Sequence, residues 1–274
     1  MPFRWRSDGD YIKKLPLTRR IMPHIMRTRT ESQVYFEQKI NVTQMWEFIR
    51  ECREKSRITF LQYFIWAGAQ TIRKFPDLNR FVAGKRIYQR RGIWVSFSAK
   101  KEKTDKSPIV VVKTKIDPKI DFLTTAQMIQ NQIAERFSDK KSTTDKELSL
   151  AFLLPNFIIG FISRLLMWLD HFGFLPGSMI QKDEMFSSVF IANLGSIGLD
   201  AAYHHLFEYG NIPFFVAIGQ KKDEAVLDEN GNLGVAPIVT IRYTFDERIT
   251  DGLYCMKALE HLKEMLENPV ISVS

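Results

Sequence analysis

Thr244-Phe245-Asp246-Glu247-Arg248-Ile249-Thr250-Asp251-Gly252 is the densest polar constellation in this 274-residue chain, and its reading decides the fold. Residues 238–245 are rich in β-branched and aromatic side chains and predict a strand. Beyond Asp251, Leu253, Met256, Leu259, Leu262 and Met265 or Leu266 fall at three-to-four spacing, the period of a helix with one apolar face. A strand therefore hands over to a helix inside this stretch. Asp251 stands near the helix start, where the dipole and free N–H groups stabilise negative charge. Asp246, Glu247 and Asp251 are either a capping and salt-bridge cluster or the chemistry of a site.

Outward from there, the pattern is mixed. Residues 17–28 predict a helix with Thr18 as its N-cap, residues 34–40 alternate as a strand, and Asn41 caps a helix to about residue 55. Residues 60–75 form a strongly apolar helix stopped by Pro76 and buried on most sides. Strands are expected at 92–99, 108–114, 187–192 and 213–218, an exposed helix at 122–137 and a polar loop at 138–146. Glu229-Asn230-Gly231-Asn232 signals a hairpin turn. The order is α+β and no linker interrupts it. The expectation is an N-terminal arm over 1–16 and one domain over 17–274.

Apolar residues make up 45% of the chain and charged residues 26%, a globular balance. The net charge of +8 is concentrated in two places. Residues 1–30 hold Arg4, Arg6, Lys13, Lys14, Arg19, Arg20, Arg27 and Arg29; residues 80–106 hold Arg80, Lys85, Arg86, Arg90, Arg91, Lys100, Lys101, Lys103 and Lys106. Such clusters are solvated faces or meet phosphates or an anionic membrane. No zinc-finger spacing or RNA-recognition signature accompanies them, so no nucleic-acid partner is expected. Cys52 and Cys255 give neither a disulfide framework nor a metal cluster, and a reducing cytoplasm is the simplest location.

Residues 148–181 are apolar but interrupted by Pro155, Asn156, Arg164 and Asp170, so no charge-free stretch reaches the ~18 residues that span a bilayer. Three readings stay open: two short buried helices, an amphipathic helix in peripheral contact with a membrane, or the wall of a long-acyl pocket. Tyr203-His204-His205 offers imidazoles as base or ligand partner; on a helix the two rings would diverge by about 100° and could not chelate one metal. Ala192-Asn193-Leu194-Gly195-Ser196-Ile197-Gly198 is a strand running into glycines, either a tight turn or a loop approaching a ligand. No zinc-protease motif, nucleophile elbow or CxxC is present.

The opening stretch, with a helix ending Leu266-Glu267-Asn268-Pro269, resembles the end of the dihydrolipoamide acyltransferase catalytic domain of 2-oxo-acid dehydrogenase complexes, where the pattern is S-F-D-H-R-x-x-D-G. Chloramphenicol acetyltransferases carry H-H-x-x-x-D-G at the same place. Further matches follow in the family's order. Ile191-Ala192-Asn193-Leu194-Gly195-Ser196-Ile197-Gly198 resembles I-S-N-L-G-x-x-G, and Phe75-Pro76-Asp77-Leu78-Asn79 resembles P-E-L-N. Arg19-Arg20-Ile21-Met22 resembles the arginine-bearing first helix, and Lys39-Ile40-Asn41-Val42-Thr43 resembles V-D-V-T.

The resemblance implies a mixed β-sheet flanked by helices, a homotrimer with its active site in a channel between subunits, and acyl transfer from a thioester to a small thiol or hydroxyl acceptor. CoA or acyl-CoA is then a substrate, held through basic side chains, and no cofactor or metal is permanently bound. The family's general-base histidine position is Glu247, and its oxyanion-binding serine position is Ala192. Asp251 is retained, with Arg19 as its expected salt-bridge partner. His204 or His205 is expected to reach Glu247 as a substitute base, with Asn193, Ser196 and Tyr203 contacting substrate. The expectation is a domain not preceded by lipoyl and subunit-binding modules, as in the stand-alone acetyltransferases. A catalytically inactive trimeric homologue is the other expectation.

Overall fold

A computed structural model describes residues 6–53, 58–100, 109–138, 153–227 and 231–272. Its elements are β1 (Gly9–Tyr11), α1 (Leu17–Ile25), β2 (Gln33–Asn41), α2 (Thr43–Arg53), α3 (Phe60–Lys74), β3 (Arg80–Ala83), β4 (Arg86–Arg90), β5 (Ile93–Lys100), β6 (Ile109–Ile116), α4 (Phe122–Ser138), α5 (Asn156–Phe172), α6 (Gly177–Lys182), β7 (Val189–Asn193), β8 (Phe214–Leu227), β9 (Leu233–Asp246) and α7 (Gly252–Glu267).

Six strands form a sheet in the order β2-β9-β8-β7-β5-β6. β7 runs parallel to both β5 and β8 and the other pairs are antiparallel, so the sheet is mixed as expected. One face carries Phe97, Val112, Ile191, Val216, Ile241 and Phe245 into the main core, under α3, α4 and α7. α3 starts on a capping box in which Thr59 and Gln62 satisfy each other's backbone N–H groups. Two of its buried side chains reach one loop: Trp66 and Gln70 donate to the carbonyls of Ile120 and Pro118.

A second sheet, β1-β4-β3, was not anticipated from the sequence. Its strands are three to five residues long, too short for a period to show. Arg6 and Arg90 stack over Phe81 at 5.3 and 4.4 Å. Arg6, Arg29 and Arg90 are buried, while Arg80 and Arg91 pair with Asp77 and Asp10. The basic clusters are therefore not uniformly solvated faces. Burial and the neighbouring arginines Arg6 and Arg29 pull Arg90 down to about 10, although Asp8 opposes this.

Several boundaries moved. α1 ends at Ile25, with Pro16 rather than Thr18 at its N-cap. α4 is half buried, with Phe122, Thr125, Ala126 and Ile129 inward, so it is not an exposed helix. In α7, Leu253 and Met256 are exposed; Cys255 and Ala258 take their place in the core beside Leu259, Leu262, Met265 and Leu266. β8 and β9 pair from Phe214↔Phe245 to Leu227↔Leu233, on either side of the turn signal at 229–232. Most of the loop expected at 138–146 lies outside the described residues. The apolar segment does form helices, but α5 has no buried residue, which overturns the reading of two buried helices.

Candidate active site

Asp246 ends β9 fully buried, and its carboxylate grips Arg248 with both oxygens, at 2.8 Å to Nε and 2.7 Å to Nη2. This pair turns the chain sharply, so that the Glu247 N–H donates to the Ser32 carbonyl at 2.9 Å. On the other side, Nη1 of Arg19 donates to the carbonyls of Glu247 at 2.6 Å and Thr250 at 3.0 Å. Asp251 caps α7, its Oδ1 accepting from the Tyr254 N–H at 2.8 Å. The expected Arg19–Asp251 salt bridge is not formed. The arginine holds the same loop through main-chain oxygens, because the aspartate's carboxylate is committed to the helix cap. Glu247 is half-buried, and among the described residues its carboxylate has no hydrogen-bond or ion-pair partner.

His204 and His205 lie in an irregular segment, not on a helix, so their rings do not diverge; they stack at 4.8 Å and 22°. His204 also lies flat on Phe215, 3.8 Å between centroids. Nδ1 of His204 is 2.7 Å from the His205 carbonyl and Nδ1 of His205 is 2.9 Å from the Leu206 carbonyl. A carbonyl only accepts, so both Nδ1 atoms carry the proton and each neutral ring keeps its Nε2 lone pair. Burial against Phe215 lowers the pKa of His204 from its ordinary value, keeping it neutral at pH 7. Thr244 Oγ1 donates to the His204 carbonyl at 2.5 Å, and the Leu206 N–H donates to Gln33, whose strand partner is Asp246. The histidine segment thus crosses the sheet end that carries Glu247. No ring nitrogen of either histidine bonds to Glu247, so the expected pair is not assembled within the chain.

Ser196 donates its hydroxyl to the Asn193 carbonyl at 2.7 Å, and the Asn193 side chain accepts from the Ser196 N–H. Both residues close the turn after β7, and the Ser196 proton is not turned outward as an oxyanion donor. At Gly195 a Cβ would collide with the backbone of Gly219, so that turn position requires glycine. Ala192 packs toward the cluster of Phe190, Leu206, Ile212 and Phe215.

Tyr203 is exposed and belongs to a group that the sequence reading did not single out. Arg242 donates to Glu37 at 2.7 Å and to the Ala201 carbonyl at 2.6 Å, with its guanidinium 4.2 Å from the centre of the Tyr203 ring. Tyr35 meets Tyr203 edge-on at 5.6 Å. Strand register places Ala192, Ala217, Arg242 and Glu37 in one row. The signal available was the alternation of Tyr35, Glu37, Arg242 and Thr244 against the core residues between them.

The profile of the 2-oxoacid dehydrogenases acyltransferase (catalytic domain) family matches residues 10–145 and 177–272. The chain belongs to this family. The lipoamide acyltransferase component of the branched-chain alpha-keto acid dehydrogenase complex of Bacillus subtilis is 24% identical over 96% of the chain and 53% of that protein. The chain thus spans about half the length of the curated relatives it matches. Among solved structures, a probable dihydrolipoamide acetyltransferase from Listeria monocytogenes superposes with a TM-score of 0.63 at 17% identity, over 96% of this chain and 99% of that one. A chloramphenicol acetyltransferase gives 0.58 at 11%, over 94% and 99%. The fold is that of the CoA-dependent acyltransferases. The family match skips residues 146–176, which contain all of α5.

Proposed function

We propose that this domain transfers an acyl group from a CoA thioester to a small thiol or hydroxyl acceptor through a rearranged active site. The observation that carries this reading is the Glu247 loop. Its backbone is pinned through both N–H and carbonyl, while its side chain is a half-buried carboxylate with no partner among the described residues, at the position where the resemblance expects the general base. Such preorganisation is what a reacting group needs.

Glutamate alone is a weak base for this chemistry. A thiol near pKa 8.5 and a carboxylate near 4.3 differ by about four units, whereas imidazole narrows the gap to about two. His204, neutral with a free Nε2, supplies the stronger base. In a homotrimer with the channel between subunits, Glu247 of one protomer orients the histidine of its neighbour and stabilises its protonated form. His204 Nε2 takes the acceptor's proton, the acceptor attacks the thioester carbonyl, and CoA leaves as the thiol once the proton returns to its sulfur. Ala192 gives the oxyanion no hydroxyl, and one such donor is worth about 10²–10³ in rate. Turnover is therefore slow beside a full site.

The test is chromatographic quantification of free CoA released from acetyl- and longer acyl-CoA in the presence of a dithiol acceptor. Glu247→Gln and His204→Gln should each abolish the signal; full activity in both variants would exclude this site. A second reading, a trimeric binding protein without turnover, draws on Ala192 and on the locally spent Ser196 hydroxyl. It is favoured if the native chain is inert while Glu247→His with Ala192→Ser gains activity.

A further inference from the structure

α5 is an unusual helix for a folded domain. Over its 17 residues none is buried. Phe157, Phe161 and Trp168 are 76%, 65% and 53% exposed, and Leu165, Ile162 and Met167 widen the stripe. The helix turns Leu166 and Leu169 onto Leu175, Ile180 and Phe186, which fixes it on the surface. Its C-terminal end is anchored where Arg6 bonds Asp170, at 2.7 Å to the carboxylate and 2.9 Å to the carbonyl. The family profile passes over this helix, so the exposed stripe is an addition to the acyltransferase domain.

Charge identifies what covers it. Between residues 153 and 182 the charged side chains are Arg164, Asp170 and Lys182, with His171 beside them. The single acid is neutralised by Arg6. The acids just beyond are engaged too, Asp183 by Tyr209 and Glu184 by Arg136. Exposed Lys85 follows Gly84, where an added Cβ would collide with the His171 carbonyl at the end of the helix. Among the described residues, the surface around the apolar stripe thus offers cations and no uncommitted carboxylate.

We infer that α5 is an interfacial helix that docks the protein on a bilayer containing anionic lipid. Phe157, Phe161 and Trp168 enter the boundary between headgroups and acyl chains, and Arg164, at three-to-four spacing among them, keeps its stem in the apolar layer while its guanidinium meets a lipid phosphate. Against an apolar groove on a second copy of the chain, the same Arg164 would be desolvated without a counter-charge. No described helix is long and apolar enough to cross a membrane, so α5 lies on the surface. This inference does not depend on catalytic activity.

The experiment is vesicle flotation of the full chain with phosphatidylcholine alone and with added phosphatidylglycerol. Binding is expected to the mixed vesicles, to weaken with salt, and to be much poorer on phosphatidylcholine. Phe157→Asp and Phe161→Asp alter the most exposed aromatic side chains of α5 and should leave the melting temperature unchanged while lowering partitioning on the order of tenfold or more. Arg164→Gln should weaken binding to the anionic vesicles selectively. Failure to float with phosphatidylglycerol, or undiminished binding by all three variants, overturns the inference. A change in solution mass in the aspartate variants would assign the stripe to a second copy and overturn it as well.

Discussion

Arg19 reaches the carbonyl oxygen of Glu247 at 2.6 Å across 228 positions of sequence, and the same Nη1 holds the Thr250 carbonyl. The first helix thereby fixes the backbone on which the candidate catalytic carboxylate stands, without touching the carboxylate. Arg19→Met should lower kcat by roughly 10–100-fold, the scale of a small misplacement of a reacting group. It should cost about 1–2 kcal/mol of stability for two lost charge-assisted bonds. Steady-state kinetics and denaturant melts check both. Arg19→Lys, with a compact ammonium in place of the planar guanidinium, should recover part of each.

Glu247→Gln keeps the shape of the side chain and removes its charge. The expected result is a fall in kcat of roughly 10²–10⁴ with no loss of stability, since the carboxylate has no partner to lose. Thermal melts and the CoA-release assay measure the two independently. An equal loss of folded stability would mean that the residue is structural.

His204 gives the pH dependence. As the base it must be neutral, so kcat/KM should fall on the acid side of its pKa, which burial lowers in the single chain and a neighbouring Glu247 carboxylate would raise. The sign for stability agrees. Between the lowered folded value and 6.5 the unfolded chain binds more protons, so stability rises with pH through that window and is lost as pH falls below 6.5. His204→Gln should remove both dependences, read from pH-rate profiles and pH-resolved melts.

How much of this was legible in the residues follows physical lines. β9 and α7 announced themselves through long periodic runs, and the glycines at 195 and 198 marked the turn after β7. β1, β3 and β4 did not, because Arg86 and Arg90 at the ends of a five-residue strand read as part of a charge cluster. The Glu247 loop was legible as a place but not as a set of bonds. Sequence distinguishes a carboxylate from a carbonyl only by residue type, and Arg19 chose main-chain oxygens. His204 and His205 were misjudged because a helical angle was assigned to a segment that is irregular. Arg242 and Glu37 were missed because they meet across strands, a pairing that needs the register.

A small apolar void of about 60 Å³ lies between α3, α7 and the sheet, lined in part by Phe64, Gly68, Ile72 and Leu259. A Cβ at Gly68 would meet nothing within 4 Å. Gly68→Ala should therefore stabilise the protein by about 1 kcal/mol through helix propensity alone. That corresponds to a rise in Tm of roughly 2–4 °C. Calorimetry checks it, and a lowered Tm would show that the void is needed for packing.

The bond between Arg6 and Asp170 joins the arm at the start of the domain to the far end of a helix that the family profile passes over. That makes α5 a poor candidate for clean excision. Excising residues 146–176, which the family match skips, would strip Arg6, almost wholly enclosed, of two of its acceptors while leaving it wedged between Asp8 and Phe81. An acquired helix of this kind becomes part of the scaffold's own wiring: a trimmed version would need a compensating change at Arg6, and any lineage that gained the helix would find it hard to shed.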